Sequence, residues 1–232
     1  MKRNSPASEG RYLSEIGKHI DKHLGSKSYV LHEIVSTTVH IDVHVIEPNQ
    51  KLPYLTLITS GMSDLDMKVP KGAGPAEDYK LAELVAFLPA DWKIPTESKE
   101  FDEFDSQGWY PVRWLKHYAR MVHEKNTALS WYSSSQNGNP ASAIGENTAM
   151  VGFLFAPALQ LGPEGIFVPT HDGRKIRLLN LVPILQDEIA FSAKNGGEAL
   201  CDKMDKAENF VFFPARKSCL ENTKRKKFLG LF

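Results

Sequence analysis

Three short runs early in the chain, "SYVLHEI" (28–34), "TVHIDVHVIE" (38–47) and "YLTLITSG" (54–61), are rich in β-branched and aromatic residues, with Pro48 and Pro53 as punctuation. Runs of this kind read as strands. Only a few residues join each run to the next. A parallel pair needs a crossover of a dozen residues or more, so these connections predict antiparallel neighbours. One side of a sheet is thereby set before any other element is placed.

The remaining elements arrange themselves around that sheet. Residues 8–24 predict an amphipathic helix, with Tyr12, Leu13, Ile16, Ile20 and Leu24 at three- and four-residue spacing, Ser8 as N-cap and Gly25 as stop. "AELVAFLP" (82–89) is continuously apolar apart from one Glu and predicts a central strand covered on both faces. Residues 111–123 predict a second helix with Pro111 near its first position and a stripe of Trp114, Leu115, Tyr118, Met121 and Val122. Residues 128–142 predict a strand running into a turn at Asn137-Gly138, and 148–159 another core strand. Residues 165–185 predict a hairpin turning at Asp172-Gly173, and 186–204 a helix interrupted at Gly196-Gly197. The order gives an α+β class with a mixed, largely antiparallel sheet packed with helices. With 232 residues the chain predicts a single domain over 1–205 followed by a basic extension over 206–232.

The net charge of zero conceals an asymmetry. Residues 216–232 carry six Lys/Arg and one Glu, which leaves 22 basic and 27 acidic residues in the rest. The tail is either a solvated end with a small apolar terminus docked on the body, or a contact for nucleic acid or membrane. No apolar run is long enough to span a membrane, and "MKRNSPASEG" lacks the apolar core of a signal peptide. These features predict a cytoplasmic protein whose two cysteines, Cys201 and Cys219, are free thiols.

Most chemical motifs are missing. "GMSDLD" (61–66) lacks the spacing of a serine elbow, and "KGAGPA" (71–76) has no Lys-Ser/Thr to make a phosphate loop. "HDG" (171–173) fits a hairpin turn, His117 and His123 read as exposed helix residues, and "EFDEFD" (100–105) reads as a solvated loop. The strongest candidate is "HIDVHV" (40–45). Side chains alternate on a strand, so His40, Asp42 and His44 share one face at intervals of about 6.6–6.8 Å. Two ligands from this strand could meet one divalent ion only with help from a neighbour such as His32 or Glu33. The same alternation is what any half-exposed strand shows, and a wet structural or recognition surface is the simpler reading. A metal-dependent enzyme built on this face stands as the alternative. Trp92 and Trp109 fall in predicted loops, where an aromatic anchor serves protein recognition.

Several segments, in this order, resemble the Suppressor of fused domain family. They carry Asp42-Val43, Thr56-Leu57-Thr59-Gly61-Met62-Ser63, Met67-Val69-Pro70, Glu83-Leu84-Leu88-Pro89-Trp92, and Val182-Pro183 with Glu188. The match spans roughly residues 28–205 and leaves the basic tail outside. The resemblance implies binding of another protein, with no catalytic residues, no metal and no cofactor. Animal members sequester a transcription factor and carry a further C-terminal domain. Stand-alone bacterial members resemble immunity or antitoxin-like proteins that neutralise toxins by direct binding. The candidate binding surface is then His40, Asp42, His44, Thr59, Gly61, Met62, Ser63, Met67, Trp92 and Trp109. The partner is another protein, with a basic toxin suited to the acidic body. Nucleic acid would enter only through 216–232, and no membrane is involved.

Overall fold

The strands around Pro48 and Pro53 pair as their short connections require. The computed structural model describes residues 10–25, 28–33, 38–71, 76–95, 108–208 and 210–221. In chain order its elements are α1 (Leu13–His23), β1 (Ser28–Leu31), β2 (Asp42–Ile46), β3 (Leu55–Ser60), α2 (Ala76–Tyr79), β4 (Ala82–Leu88), α3 (Tyr110–Glu124), β5 (Ser134–Gln136), β6 (Gly152–Pro157), β7 (Phe167–Pro169), β8 (Lys175–Ile184), α4 (Gln186–Asn195) and α5 (Gly197–Lys206). Strands β1 to β4 form an antiparallel run with Val30 opposite His44, His44 opposite Ile58, and Ile58 opposite Val85. The sheet order is β1-β2-β3-β4-β8-β6-β5, with β7 also on β8. Only the β4–β8 pair is parallel among the described strands. The class is α+β with a mixed, mostly antiparallel sheet, as the element order predicts.

Alternation along β8 shows how the sheet is covered. Leu179 and Leu181 join Phe153 and Phe155 of β6 against Leu115, Tyr118 and Ala119 of α3. Ile176 and Leu178 pack with Tyr12, just before α1, and with Ile16 and Ile20 of α1, while Val182 and Ile184 pack with Leu200 and Met204 of α5. Helix α3 therefore lies on one face, with α1 and α5 on the other. A strand covered on both faces favours apolar residues at most positions, which is why β4 and β8 are mainly apolar, with the buried polar exceptions Glu83, Arg177 and Asn180.

Some expectations change. Every residue of β2 is buried, so the face shared by Asp42 and His44 is not half-exposed. Its polar groups are matched by partners within the protein instead of by water. Residues 128–133 do not extend β5. Tyr132 adopts φ 67°, and its carbonyl lies where a side chain on Gly197 would clash, so the chain turns before the strand begins. Ser8, the acidic loop 100–105 and residues 222–232 of the basic tail lie outside the described residues.

After α5 the chain returns to the body. Phe212 donates its N–H to the Phe87 carbonyl at 2.8 Å and packs against Trp92 and Tyr110. Arg216 makes a bidentate pair with Glu188 at 2.7 and 2.6 Å, and both side chains are almost wholly buried. Glu188 also accepts N–H bonds from Leu185 at the start of α4 and from Cys219. Burial raises the Glu188 pKa, but the Arg216 bonds outweigh it and hold the carboxyl below its ordinary range. Removing one partner strands the other charge. Arg216→Met should cost about 3–5 kcal/mol in urea unfolding, and a loss under about 1 kcal/mol would show the pair to be dispensable.

Candidate functional site

The turn after β3 is fixed by Gly61 and by one buried carboxylate. Gly61 has φ 107°, and a Cβ there would sit 1.9 Å from the His40 carbonyl oxygen, so no other residue fits. Residues Met62–Asp64 then form a single 3-10 turn. Glu83, fully buried on β4, accepts from the Gly61 N–H at 3.1 Å and from the Ser63 N–H and hydroxyl at 2.9 and 2.7 Å. Its second oxygen accepts from Thr59 at 2.6 Å. Burial pushes its pKa up to about 7 while the Thr59 and Ser63 donors pull it down. The two backbone N–H groups can only donate to it, whereas the Thr59 and Ser63 hydroxyls can donate to the ionised carboxylate or accept from the protonated one.

The same turn reaches both helical layers. Asp64 accepts the Gly10 N–H at 2.8 Å and so holds the chain entering α1. Burial raises the Asp64 pKa against the backbone N–H groups of Gly10, Arg11 and Tyr12. On the other face of the sheet, His123 near the end of α3 donates to the Met62 carbonyl at 2.8 Å. His123 is therefore half-buried and part of the site, in contrast to the exposed role its helix position suggests.

Asp42 is the second centre. It contacts His32 at 2.9 Å and His40 at 3.0 Å and accepts the Glu33 N–H at 2.9 Å. Burial raises its pKa, but these partners outweigh that and hold the carboxyl low. Glu33 in turn pairs with Arg120 of α3 and accepts the Ile41 N–H. His44 bonds Ser60 at 2.9 Å, and burial lowers its pKa. A cavity of about 280 Å³ opens here, lined by Gly10, Leu13, His40, Asp42, Ser60 and Gly61, with Leu13 exposed at its edge.

His40, Asp42, His44, Thr59, Gly61, Met62 and Ser63 are thus brought together. Met67 follows them, with its N–H on the Lys80 carbonyl just before β4. The side chains of Thr59, Met62, Ser63 and Met67 are buried, so they shape this surface from beneath. Trp92 and Trp109 are elsewhere. Leu55 pairs with Leu88 at one end of the sheet and Ser60 with Asp42 at the other, and Trp92 follows the Leu88 end. It packs on Tyr110 at the start of α3, whereas His123 near the far end of that helix meets the Met62 turn.

The alternative metal site does not form. His44 is committed to Ser60, and among the described residues no three His, Cys, Asp or Glu are grouped to hold an ion. Cys201 and Cys219 are free and buried, and burial pushes both thiols up to about 12. Asp172 sits in the β7–β8 turn and bonds Tyr12 and Arg11, which agrees with the hairpin reading of "HDG". Sequence reasoning missed Glu83, Asp64 and Leu13 as site residues. A lone charge in the apolar run 82–89 was the available signal for Glu83.

Two expected outcomes follow from this geometry. Glu83→Ala leaves its donors unpaired in the core and should lower stability by about 3 kcal/mol or more in urea unfolding. A loss below about 1 kcal/mol would remove Glu83 as the organiser of the turn. His123 has its pKa lowered by burial. As pH falls through 6.5 the unfolded chain takes up this proton first, so the stability that His123 contributes above that pH is lost below it. Glu83 and Asp64, with raised values, act in the opposite sense. The stability gap between the parent and His123→Gln should therefore narrow from pH 7 to pH 5, as read by denaturation at each pH.

The sequence profile of Suppressor of fused protein (SUFU) matches residues 37–217. No curated protein matches the chain in sequence. Among solved structures, the chain is similar to one from the Sufu–Fu complex, with TM-score 0.65, 12% identity, and 97% of each chain covered. It is similar to a protein described as a SUFU homolog from Neisseria gonorrhoeae, with TM-score 0.62, 15% identity, and 90% of this chain and 96% of that chain covered. It also resembles Drosophila Suppressor of Fused, with TM-score 0.65 and 12% identity, covering 94% of this chain but 53% of that one. At these identities the structural likeness concerns the fold, and the profile match over most of the chain assigns the family: this protein belongs to the Suppressor of fused family.

Proposed function

We propose that the chain is a non-enzymatic binding protein that acts as an immunity or antitoxin-like factor, neutralising a toxin by covering its working surface. The observation that carries the binding reading is the likeness, over 97% of both chains, to a SUFU structure that is itself from a complex with Fu. The contact surface is the Gly61 end of the sheet: Leu13 and His40 at the rim, Asp42 behind them, and the turn Gly61–Ser63 as rigid support. The Trp92 end lies a strand's length away, about 20 Å, and serves packing. The acidic balance of residues 1–215 suits a basic partner through electrostatic steering. Buried free thiols accord with a reducing cytoplasm, and no helix of the described residues is long and apolar enough to cross a membrane.

The test is direct binding to the product of the adjacent gene in the source genome, measured by calorimetry. Leu13→Glu, at an exposed position, should weaken binding at least tenfold, about 1.4 kcal/mol, with little change in Tm. Trp92→Ala should leave the affinity within about twofold for any folded variant. Affinity should fall as salt rises. If Leu13→Glu binds as tightly as the parent, the surface is misplaced. If the purified protein turns over a small substrate in a His40-dependent way, the binding role is overturned.

A further inference from the structure

Arg177 on β8 is 3% exposed, yet its charge is only partly matched. Nη2 donates to the carbonyls of Tyr79 at 3.1 Å and Leu129 at 3.2 Å. Nε and Nη1 have no hydrogen-bond partner, and among the described residues no carboxylate pairs with the guanidinium. The group lies 4.5 Å from the centroid of the Tyr79 ring and 5.7 Å from that of Trp131. Burial holds its pKa down to about 10. A desolvated cation with idle donors is costly unless something else satisfies it. Buried unpaired groups call for a specific explanation, such as a missing ion or ligand.

Arg177 also lines a cavity of about 520 Å³, whose wall includes the rings of Tyr79, Trp131 and Phe167. That volume is within the range of small-ligand sites, and the wall is mixed, with three aromatic rings among the charged side chains Glu77, Asp78, Arg174, Lys175 and Arg177. The charges around it restrict the ligand. Arg174 is committed to Asp66 at 2.8 Å, and Lys175 lies over the Phe167 ring at 5.8 Å. Glu77 and Asp78 also line the cavity and are exposed; Asp78 stabilises the Arg177 charge through space without a hydrogen bond, and the two carboxylates together disfavour a dianion. A single planar negative charge matches the guanidinium fork, and a flat apolar body matches the rings.

We propose that the cavity between α2, β7 and β8 binds a monocarboxylate on an aromatic or similarly flat apolar body, with Arg177 as the carboxylate receptor. Nε and Nη1 are buried, so the ligand reaches them only if a neighbouring side chain moves, and the Tyr79 ring packed 4.5 Å from the guanidinium is the one in place to do so. The carboxylate comes from a free small acid or from the C-terminus of a polypeptide ending in an aromatic residue. This inference is independent of the proposed binding role, which uses the Gly61 end of the sheet.

Calorimetry on the full chain tests it with phenylacetate and phenylacetamide. The acid should bind saturably at one site, at least tenfold tighter than the amide, and should raise Tm where the amide does not. Arg177→Gln should abolish the difference; should that variant not fold, Trp131→Ala, which removes a wall and leaves the charge, should weaken the acid at least fivefold. A peptide ending in a free C-terminal Phe, compared with its amidated form, separates the two sources. Tighter binding than phenylacetate assigns a chain end, and weaker binding assigns a free acid. No saturable binding of the acid or of the free-ended peptide up to roughly 10 mM, or equal binding of acid and amide, overturns the proposal.

Discussion

Glu83 is a carboxyl group buried inside the sheet, and the site depends on how it is satisfied. Two of its donors are backbone N–H groups of a turn that has no helix or strand to pair with, and two are hydroxyls. A neutral side chain of the same size could not accept from all of them. Burial opposes the charge and the donors favour it, so carboxylate and turn stabilise each other only as a unit. Gly61 completes that unit, because any Cβ would push the turn off the His40 backbone. The turn then carries Asp64 to the start of α1 and the Met62 carbonyl to His123 of α3. Layers on opposite faces of the sheet are thus referenced to one short segment.

A consequence is that this end of the sheet is rigid while its surface chemistry stays adjustable. The buried residues Thr59, Met62 and Ser63 set the shape, and Leu13 and His40 present it to solvent. Preorganisation of this kind lowers the ordering cost of binding a partner. Solved structures with 12–15% identity share the overall fold. At that distance few side chains are held in common, so the surface can differ between proteins while the sheet and helix layers remain.

Local order was legible in the sequence. Period-two runs with short connections point to β1 to β3, an apolar run broken by a single Glu points to β4 as a central strand, and Asp172-Gly173 points to the β7–β8 hairpin. The Suppressor of fused resemblance was legible because its motifs occur in order. What sequence could not show is pairing across distance. The start of α1 is held by Asp64, 54 residues away in sequence, a partner that no local capping pattern reveals. The polar alternation of 40–44 suggested exposure, but Asp42 and His44 are buried because Glu33, His32 and Ser60 satisfy them. Trp92 and Trp109 were grouped with the Gly61 turn by residue type, whereas strand register puts Trp92 at the far end.

Among the described residues, two arginines with buried side chains make a controlled contrast. Arg216 and Arg177 are both removed from water, and both donate to backbone carbonyls. Arg216 also meets Glu188 in a bidentate fork, and that pair fastens the segment after α5 to the body. Arg177 hydrogen-bonds carbonyl oxygens and lies against the faces of aromatic rings, and Asp78 acts on it only through space. A core that needed only to bury a strand would place an aliphatic residue there, as it does at Leu179 and Leu181 on the same face. Where the fold needs a buried cation for structure, as at Arg216, it supplies the counter-charge itself. Leaving Arg177 unmatched beside a cavity makes sense when the counter-charge arrives from outside.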